Sequence, residues 1–286
     1  MPRALIAGCG YLGRAIADLL AHDGWELECW TMSPQSAEEL SRAGYSARSV
    51  DISNHQEVAA RGSDFDCVFH TASTRGGGAD SYRRVYFAGA DNLMANFSGA
   101  RFLFVGSTSV YPQKSGEWVS EESRAEPDHE TGKILRESEN IVLERGGVVV
   151  RLAGLYGPGR SALLQKFLSG DARIDPDRDR FMNQIHRDDA AAAVRFLMNR
   201  SDAMGQLYNV ADNQPTLLSE CYQWMAANLG RPVPPAGTSI ARRKRGDSNK
   251  RVSNAKLRGL GWAARYPTFA DGMQQSVLPN ALGRRL

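Results

Sequence analysis

Short, nearly unbroken apolar runs alternate along this chain with stretches in which apolar residues recur at helical spacing. The run Ala4 to Ala7 breaks into Gly8, Gly10 and Gly13, then resumes with Ile16, Leu19 and Leu20, which predicts strand, tight turn and helix. ELECWT, Glu26 to Thr31, alternates as a second strand. A helix over about 34–43 and a short strand over 47–50 lead to Asp51-Ile52. DCVFHTAS, Asp66 to Ser73, is the kind of continuous apolar strand that is buried on both faces, as parallel sheets require. A glycine loop, RGGGAD over 75–80, precedes a long helical stretch to about Ser98. RFLFVGSTSVYP, Arg101 to Pro112, is a fifth strand, and a helix around 133–145 leads to a sixth within GVVVRLAGLYGPG, Gly147 to Gly159.

Strand and helix alternating in this way, with short connections, predict an α/β fold with a doubly wound parallel sheet. Ligands of such sheets bind beyond the carboxyl ends of the strands. Those ends are Gly8 to Gly13, Thr31, Asp51, Thr71 to Ser73 and Ser107 to Tyr111, all glycine or polar in character. At the first, glycines allow a sharp turn, close approach of backbone to a pyrophosphate, and packing of helix on strand, while the helix N-terminus offers N–H groups to phosphate. A purely structural glycine turn is the alternative. At the second, an acid would favour NAD and an Arg NADP; Thr31, Met32 and Ser33 meet neither rule. Their hydroxyls, with no repelling acid, tilt the choice between NAD and NADP toward NADP.

Beyond the sixth strand the pattern predicts helices over 163–168, 190–198 and 216–229, a final strand over 206–210, and a helix stop at Gly230. A charged, proline-broken loop spans 171–182. No linker divides the chain, so a dinucleotide-binding domain of residues 1–156 plus 183–212 is expected to carry a smaller, mostly α-helical substrate lobe of 157–182 plus 213–286.

Composition changes this picture little. At 286 residues and 42% hydrophobic the chain can bury a full core. Its four cysteines, Cys9, Cys29, Cys67 and Cys221, are scattered, which points to reduced thiols and to no metal site. No run approaches the ~18 apolar residues of a membrane span, and no signal segment is evident, so a cytoplasmic location without a membrane partner is expected. Net charge is +3, yet from Arg242 to Arg258 eight basic residues face one acid, Asp247. With no nucleic-acid motif and no interleaved aromatic residue, this stretch reads as a solvated loop or as a grip on substrate phosphate rather than a nucleic-acid patch.

Several spaced motifs coincide with a known pattern: GCGYLG at 8–13, Asp51-Ile52, HTAS at 70–73, GADNL at 89–93, VGSTSVYP at 105–112, RLAGLYGPG at 151–159, NQIHRDDAA at 183–191 and YNVAD at 208–212. In this order they resemble the extended short-chain dehydrogenase/reductases, the NAD-dependent epimerase/dehydratase family. The resemblance implies a Rossmann domain in which Gly8, Gly10, Tyr11, Leu12 and Gly13 hold the pyrophosphate. It implies that Asp51 and Ile52 meet adenine, that Thr31 lies at the ribose, and that Thr71, Ala72 and Ser73 line the cofactor channel. Thr108 would be the active-site hydroxyl, with Ser107, Tyr111 and Asn183 toward a small-molecule substrate. A homodimer through helices at about 79–98 and 131–145 is a further implication. The family's first glycine falls at Ala7 or is displaced to Gly8.

One departure concerns the chemistry. The family's Tyr-x-x-x-Lys exchanges a proton with the substrate oxygen, yet Pro127 to Glu139 contains no Tyr. Matching Gly132 puts Thr131 and Leu135 at the two positions; anchoring on Lys133 puts His129 at the first. A Thr hydroxyl is far too weak an acid to replace a phenol of pKa ~10, whereas an imidazole near ~6.5 could do acid/base work. Tyr111 and Tyr156 are other proton donors to consider. Two functions follow: an NAD(P)-dependent epimerase, dehydratase or reductase acting on a hydroxyl or carbonyl substrate such as a nucleotide sugar, with Thr108 and one of His129, Lys133 or Tyr111; or a catalytically silent NAD(P)-binding sensor.

Overall fold

The computed structural model describes residues 1–62, 64–74, 76–237 and 248–283. The first part of the basic stretch, Arg242 through Asp247, lies outside the described residues.

The first half of the chain winds strand to helix: β1 (Arg3–Ala7), α1 (Tyr11–His22), β2 (Glu26–Thr31), α2 (Pro34–Arg42), β3 (Ala47–Ser49), α3 (His55–Ala59) and β4 (Cys67–His70). Local chemistry starts the helices where they start. Ser33 caps α2 by accepting from Ser36 N, with Pro34 supplying a preset φ in the first turn, and Asn54 caps α3 by accepting from Gln56 N and Glu57 N. The long helical stretch is α4 (Ala79–Tyr82) and α5 (Gly89–Asn96), joined through a π-helical segment, Arg83–Ala88. Then come β5 (Arg101–Ser107), β6 (Glu117–Val119), α6 (Glu130–Glu144), β7 (Val148–Leu152) and β8 (Gly154–Tyr156).

The remainder is α7 (Ala162–Ser169), β9 (Phe181–Met182), β10 (Gln184–His186), α8 (Arg187–Met198), β11 (Leu207–Val210), β12 (Thr216–Leu217), α9 (Leu218–Leu229), β13 (Lys250–Val252), α10 (Ala255–Gly259), α11 (Phe269–Gly272) and α12 (Leu278–Gly283). Gly230 ends α9 in the left-handed region, φ +60°, as its sequence position predicts.

Seven strands form one parallel sheet in the order β11-β7-β5-β4-β1-β2-β3. The order reverses between β1 and β4, and the carboxyl ends of those two strands open the crevice in which doubly wound sheets bind ligands. Central strands are covered on both faces: every residue of β4 and β7 is buried. Inside this apolar layer Arg151 donates to the Glu139 carboxylate at 3.0 and 2.7 Å, a buried pair that also contacts Arg136. A second, smaller apolar cluster gathers Tyr156, Leu164, Phe167, Tyr222, Met225 and Phe269, among others. Val252, Leu257 and Trp262 join the large core instead, so the chain after β13 returns to pack on the sheet.

Three pairs of very short strands knit the carboxyl side together: β8 with β10, β9 with β12, and β6 with β13. Among the described residues, no helix is long and apolar enough to cross a membrane, and no group of His, Cys, Asp and Glu could hold a metal ion. All four cysteines are buried thiols.

Candidate functional site

The turn between β1 and α1 is fixed by its backbone. Gly8 N and Cys9 N both donate to Trp30 O, at 3.0 and 2.9 Å. Gly8 sits at φ +100°, and a Cβ there would lie 2.2 Å from Ala72 N, so only glycine lets the turn touch the exit of β4. Thr71 Oγ1 donates to Gly8 O at 2.9 Å. A Cβ at Gly13 would lie 2.7 Å from that same carbonyl, which is the close helix-on-strand packing the motif provides.

Gly10 behaves differently. It is the N-cap of α1, carries no side-chain cap, and is followed by no acid in the first turn. A Cβ added to it would meet nothing closer than Gly8 O at 3.9 Å. The first turn of this twelve-residue helix therefore has neither a side-chain cap nor an acidic countercharge, an arrangement that fits a dinucleotide pyrophosphate. The side chains of Tyr11 and Leu12 are engaged away from this turn. Leu12 is buried in the core, and Tyr11 OH donates to Pro158 O at 3.1 Å beneath the guanidinium groups of Arg160 and Arg187, 5.2 and 5.1 Å from its ring centre.

Along the adenosine edge, Thr31 closes β2 half-buried and its carbonyl accepts from Val50 N. Met32 is exposed, and Ser33 is spent on capping α2. The Asp51 carboxylate accepts from Ser53 N and Oγ at 2.9 and 2.7 Å and from Arg84 at 2.9 Å. Burial alone would raise its pKa, but these donors outweigh it and hold the carboxyl below its ordinary range. Ile52 is buried and its carbonyl accepts from Asn92. Ala72 packs on Gly8, while Ser73 is exposed at the mouth of the crevice.

At the far end, β5 opens into a 3₁₀ turn, Thr108–Val110. Ser107 Oγ accepts from Ser109 N at 3.1 Å and keeps its own proton to donate. Thr108 is 8% exposed, and its hydroxyl bonds to no other described residue. These two adjacent hydroxyls stand at the carboxyl end of a central strand, where a substrate oxygen would be received.

Two of the residues expected near them have side chains committed elsewhere. Tyr111 is fully buried: its OH lies 2.8 Å from Ser120 O and 2.9 Å from Asn209 Oδ1, and Arg151 stacks over its ring. That leaves no phenol proton for a substrate. Asn183 spends its amide on β13, donating to Lys250 O at 2.9 Å and accepting from Val252 N at 2.6 Å. Lys133 lies on the exposed face of α6. Tyr156 is likewise buried within the smaller cluster.

His129 caps α6 by position and is half-buried, which pushes its pKa down. Its ring lies over Gly132, where a Cβ would come within 2.9 Å of Cε1. Thr131 is half-buried at the start of α6, and Leu135 is buried in the core.

Sequence reasoning missed Lys250. It is 5% exposed, with Nζ donating to Tyr111 O and Ser248 Oγ, each at 3.0 Å. Burial, reinforced by Arg180, brings its pKa down to about 8. Its charge also acts on His129. A lysine inside a basic run looks like every other solvated cation there, and only the pairing of β13 with β6 turns this one inward.

The reversal in strand order, the glycine turn seated on β4 and the hydroxyls ending β5 define a dinucleotide-binding fold of the Rossmann type. The model of the NAD dependent epimerase/dehydratase family matches residues 4–211, and the chain belongs to that family. A solved NAD-dependent epimerase/dehydratase-type protein from Methylobacillus flagellatus is 26% identical, with TM-score 0.77 and coverage of 100% of this chain and 99% of that one. The dTDP-glucose 4,6-dehydratase of Bacillus anthracis, solved with NAD, shares the fold at 15% identity and TM-score 0.80, covering 100% and 98%. UDP-N-acetylglucosamine 4-epimerase from Bacillus cereus does so at 18% identity and TM-score 0.72, covering 99% and 100%. No curated protein sequence matches significantly.

Proposed function

We propose that this chain binds NAD or NADP along Gly8 to Gly13, Thr31, Asp51-Ile52 and Thr71 to Ser73, and exchanges hydride with a hydroxyl or carbonyl carbon of a small molecule, with nucleotide sugars as the substrate class. The observation that carries the reading is the uncapped N-terminus of α1 above a glycine turn locked to β4. The nicotinamide, when bound, supplies or accepts the hydride. The chain's part is to hold the pyrophosphate on backbone N–H groups and to receive the substrate oxygen at Ser107 and Thr108. Membership of the family and the nucleotide sugars named for its structural neighbours support the substrate class.

The second reading is a silent NAD(P)-binding sensor, favoured by Thr131 and the buried Leu135, which the register anchored on Gly132 sets at the positions of the family's Tyr and Lys. One pair of measurements separates the two. Nicotinamide fluorescence titrated with protein should show saturable binding of NADH or NADPH, and a panel of nucleotide sugars and simple carbonyl compounds should then change the nicotinamide absorbance. Binding without turnover selects the sensor. Absence of binding removes both.

A further inference from the structure

We propose that Lys250 is the catalytic proton-exchanging group of this site, delivered from the second half of the chain to the hydroxyl-bearing end of β5 in place of the family's Tyr-x-x-x-Lys. This rests on the enzymatic reading above. Four observations carry it.

The first is placement. Lys250 Nζ is 3.0 Å from Tyr111 O, and Tyr111 N donates to Thr108 O, so the ammonium is tied to the turn that presents Ser107 and Thr108. The second is how firmly it is held. β13 pairs with β6, Asn249 exchanges hydrogen bonds with Gln113 O and Gly116 N, and Asn183 brackets the backbone on both sides of Arg251. A lysine on a solvated loop would have no such frame.

The third is cost. A buried ammonium is expensive unless a carboxylate pairs with it. Lys250 has none within ion-pairing distance among the described residues; it has two neutral acceptors, and Arg180 and His129 as its titratable neighbours. Such surroundings favour an amine that gives up its proton readily, which suits a general acid and base working near neutrality. The fourth is the vacancy it answers. Leu135 is buried in the core and Tyr111 OH is committed, so neither supplies the proton.

The step balances. In the reducing direction, hydride adds to the carbonyl carbon, the C=O π pair becomes an alkoxide lone pair, and the Lys250 ammonium gives that oxygen its proton. The neutral amine left behind is reprotonated by water. In the oxidising direction the neutral amine takes the hydroxyl proton as hydride leaves. Thr108 and Ser107 hold the oxygen throughout.

The test uses the full-length protein, three variants and one chemical probe. Reductive methylation with formaldehyde and cyanoborohydride, read by peptide mass spectrometry, should be slowed by NADH at Lys250 and left unchanged by it at the exposed Lys133. Lys250→Met and Lys250→Arg should keep NADH affinity within about twofold and lose turnover by about a hundredfold or more, the lower range for a lost general acid or base. Lys250→Ala should recover part of its turnover when methylamine is added, which a structural role would not allow. A Met variant melting at or above the wild type shows that loss is not misfolding.

Wild-type rates in the Met variant, or methylation of Lys250 that NADH leaves unchanged, overturn the assignment and leave the proposed function standing. NADH binding by the wild type with no turnover across the panel overturns both the assignment and the enzymatic reading. No NADH binding at all removes the dinucleotide site itself.

Discussion

His70 shows how a single side chain can carry a pH dependence without touching the site. It ends β4 fully buried, its Nε2–H donates to Val85 O at 2.9 Å, and its ring meets Phe104 edge-on and Tyr86 face-on. Burial brings its pKa down from 6.5 to about 4, and no charged group offsets the loss of hydration. The folded chain therefore keeps His70 neutral where the unfolded chain would protonate it. Its contribution is complete above pH 6.5 and is lost as pH falls toward 4, at about 1.4 kcal/mol per pH unit, or roughly 3 kcal/mol over the window. His70→Gln retains an N–H for Val85 O and does not titrate. Urea unfolding at stepped pH should show wild type losing roughly 3 kcal/mol relative to this variant between pH 6.5 and 4. Parallel curves would refute the argument. The buried acids Asp189 and Asp212, whose pKa values burial raises, titrate in both proteins and cancel in the difference.

At the scale of elements, α1 sets stability against binding. An N-cap Asp normally stabilises a helix by about 0.5–2 kcal/mol over a residue without a capping oxygen, less over glycine, and Gly10 has the space and a negative φ. Gly10→Asp should therefore leave the melting temperature unchanged or higher. The same carboxylate would occupy the N–H groups proposed to hold pyrophosphate and would repel its charge, so NADH affinity should fall more than tenfold in a fluorescence titration. Unchanged affinity would place the phosphates elsewhere. This helix was legible in the sequence because glycine spacing and a helical apolar period both mark it, and the central strands were legible because burial on both faces removes polar residues. Strands of two or three residues, such as β6, β9 and β13, have no period to read. The sequence therefore does not show that Lys250 turns inward or that Asn183 spends its amide on β13. Tyr111 misled for another reason: it follows a strand end, but Arg151 and Asn209 draw its ring into the core.

Across the whole molecule, the two apolar clusters are joined by polar links that are themselves buried. His186 Nδ1 accepts from Asp188 N, which leaves its Nε2–H for Ser276 Oγ at 3.0 Å. Asp189, in the first turn of α8, accepts from Arg265 N at 2.7 Å and Tyr266 N at 2.9 Å. Each leaves a buried donor or acceptor unsatisfied if the clusters part, at about 1–3 kcal/mol apiece. Separate melting of the smaller cluster would break all of them while the sheet survived, so the chain should unfold in one cooperative transition. A ligand held on the sheet alone then stabilises both clusters. NADH at a hundred times its Kd should add about 2.7 kcal/mol to the unfolding of the entire chain and move the single calorimetric peak upward. A second peak that stays in place as NADH is added would show that the links do not couple the two clusters.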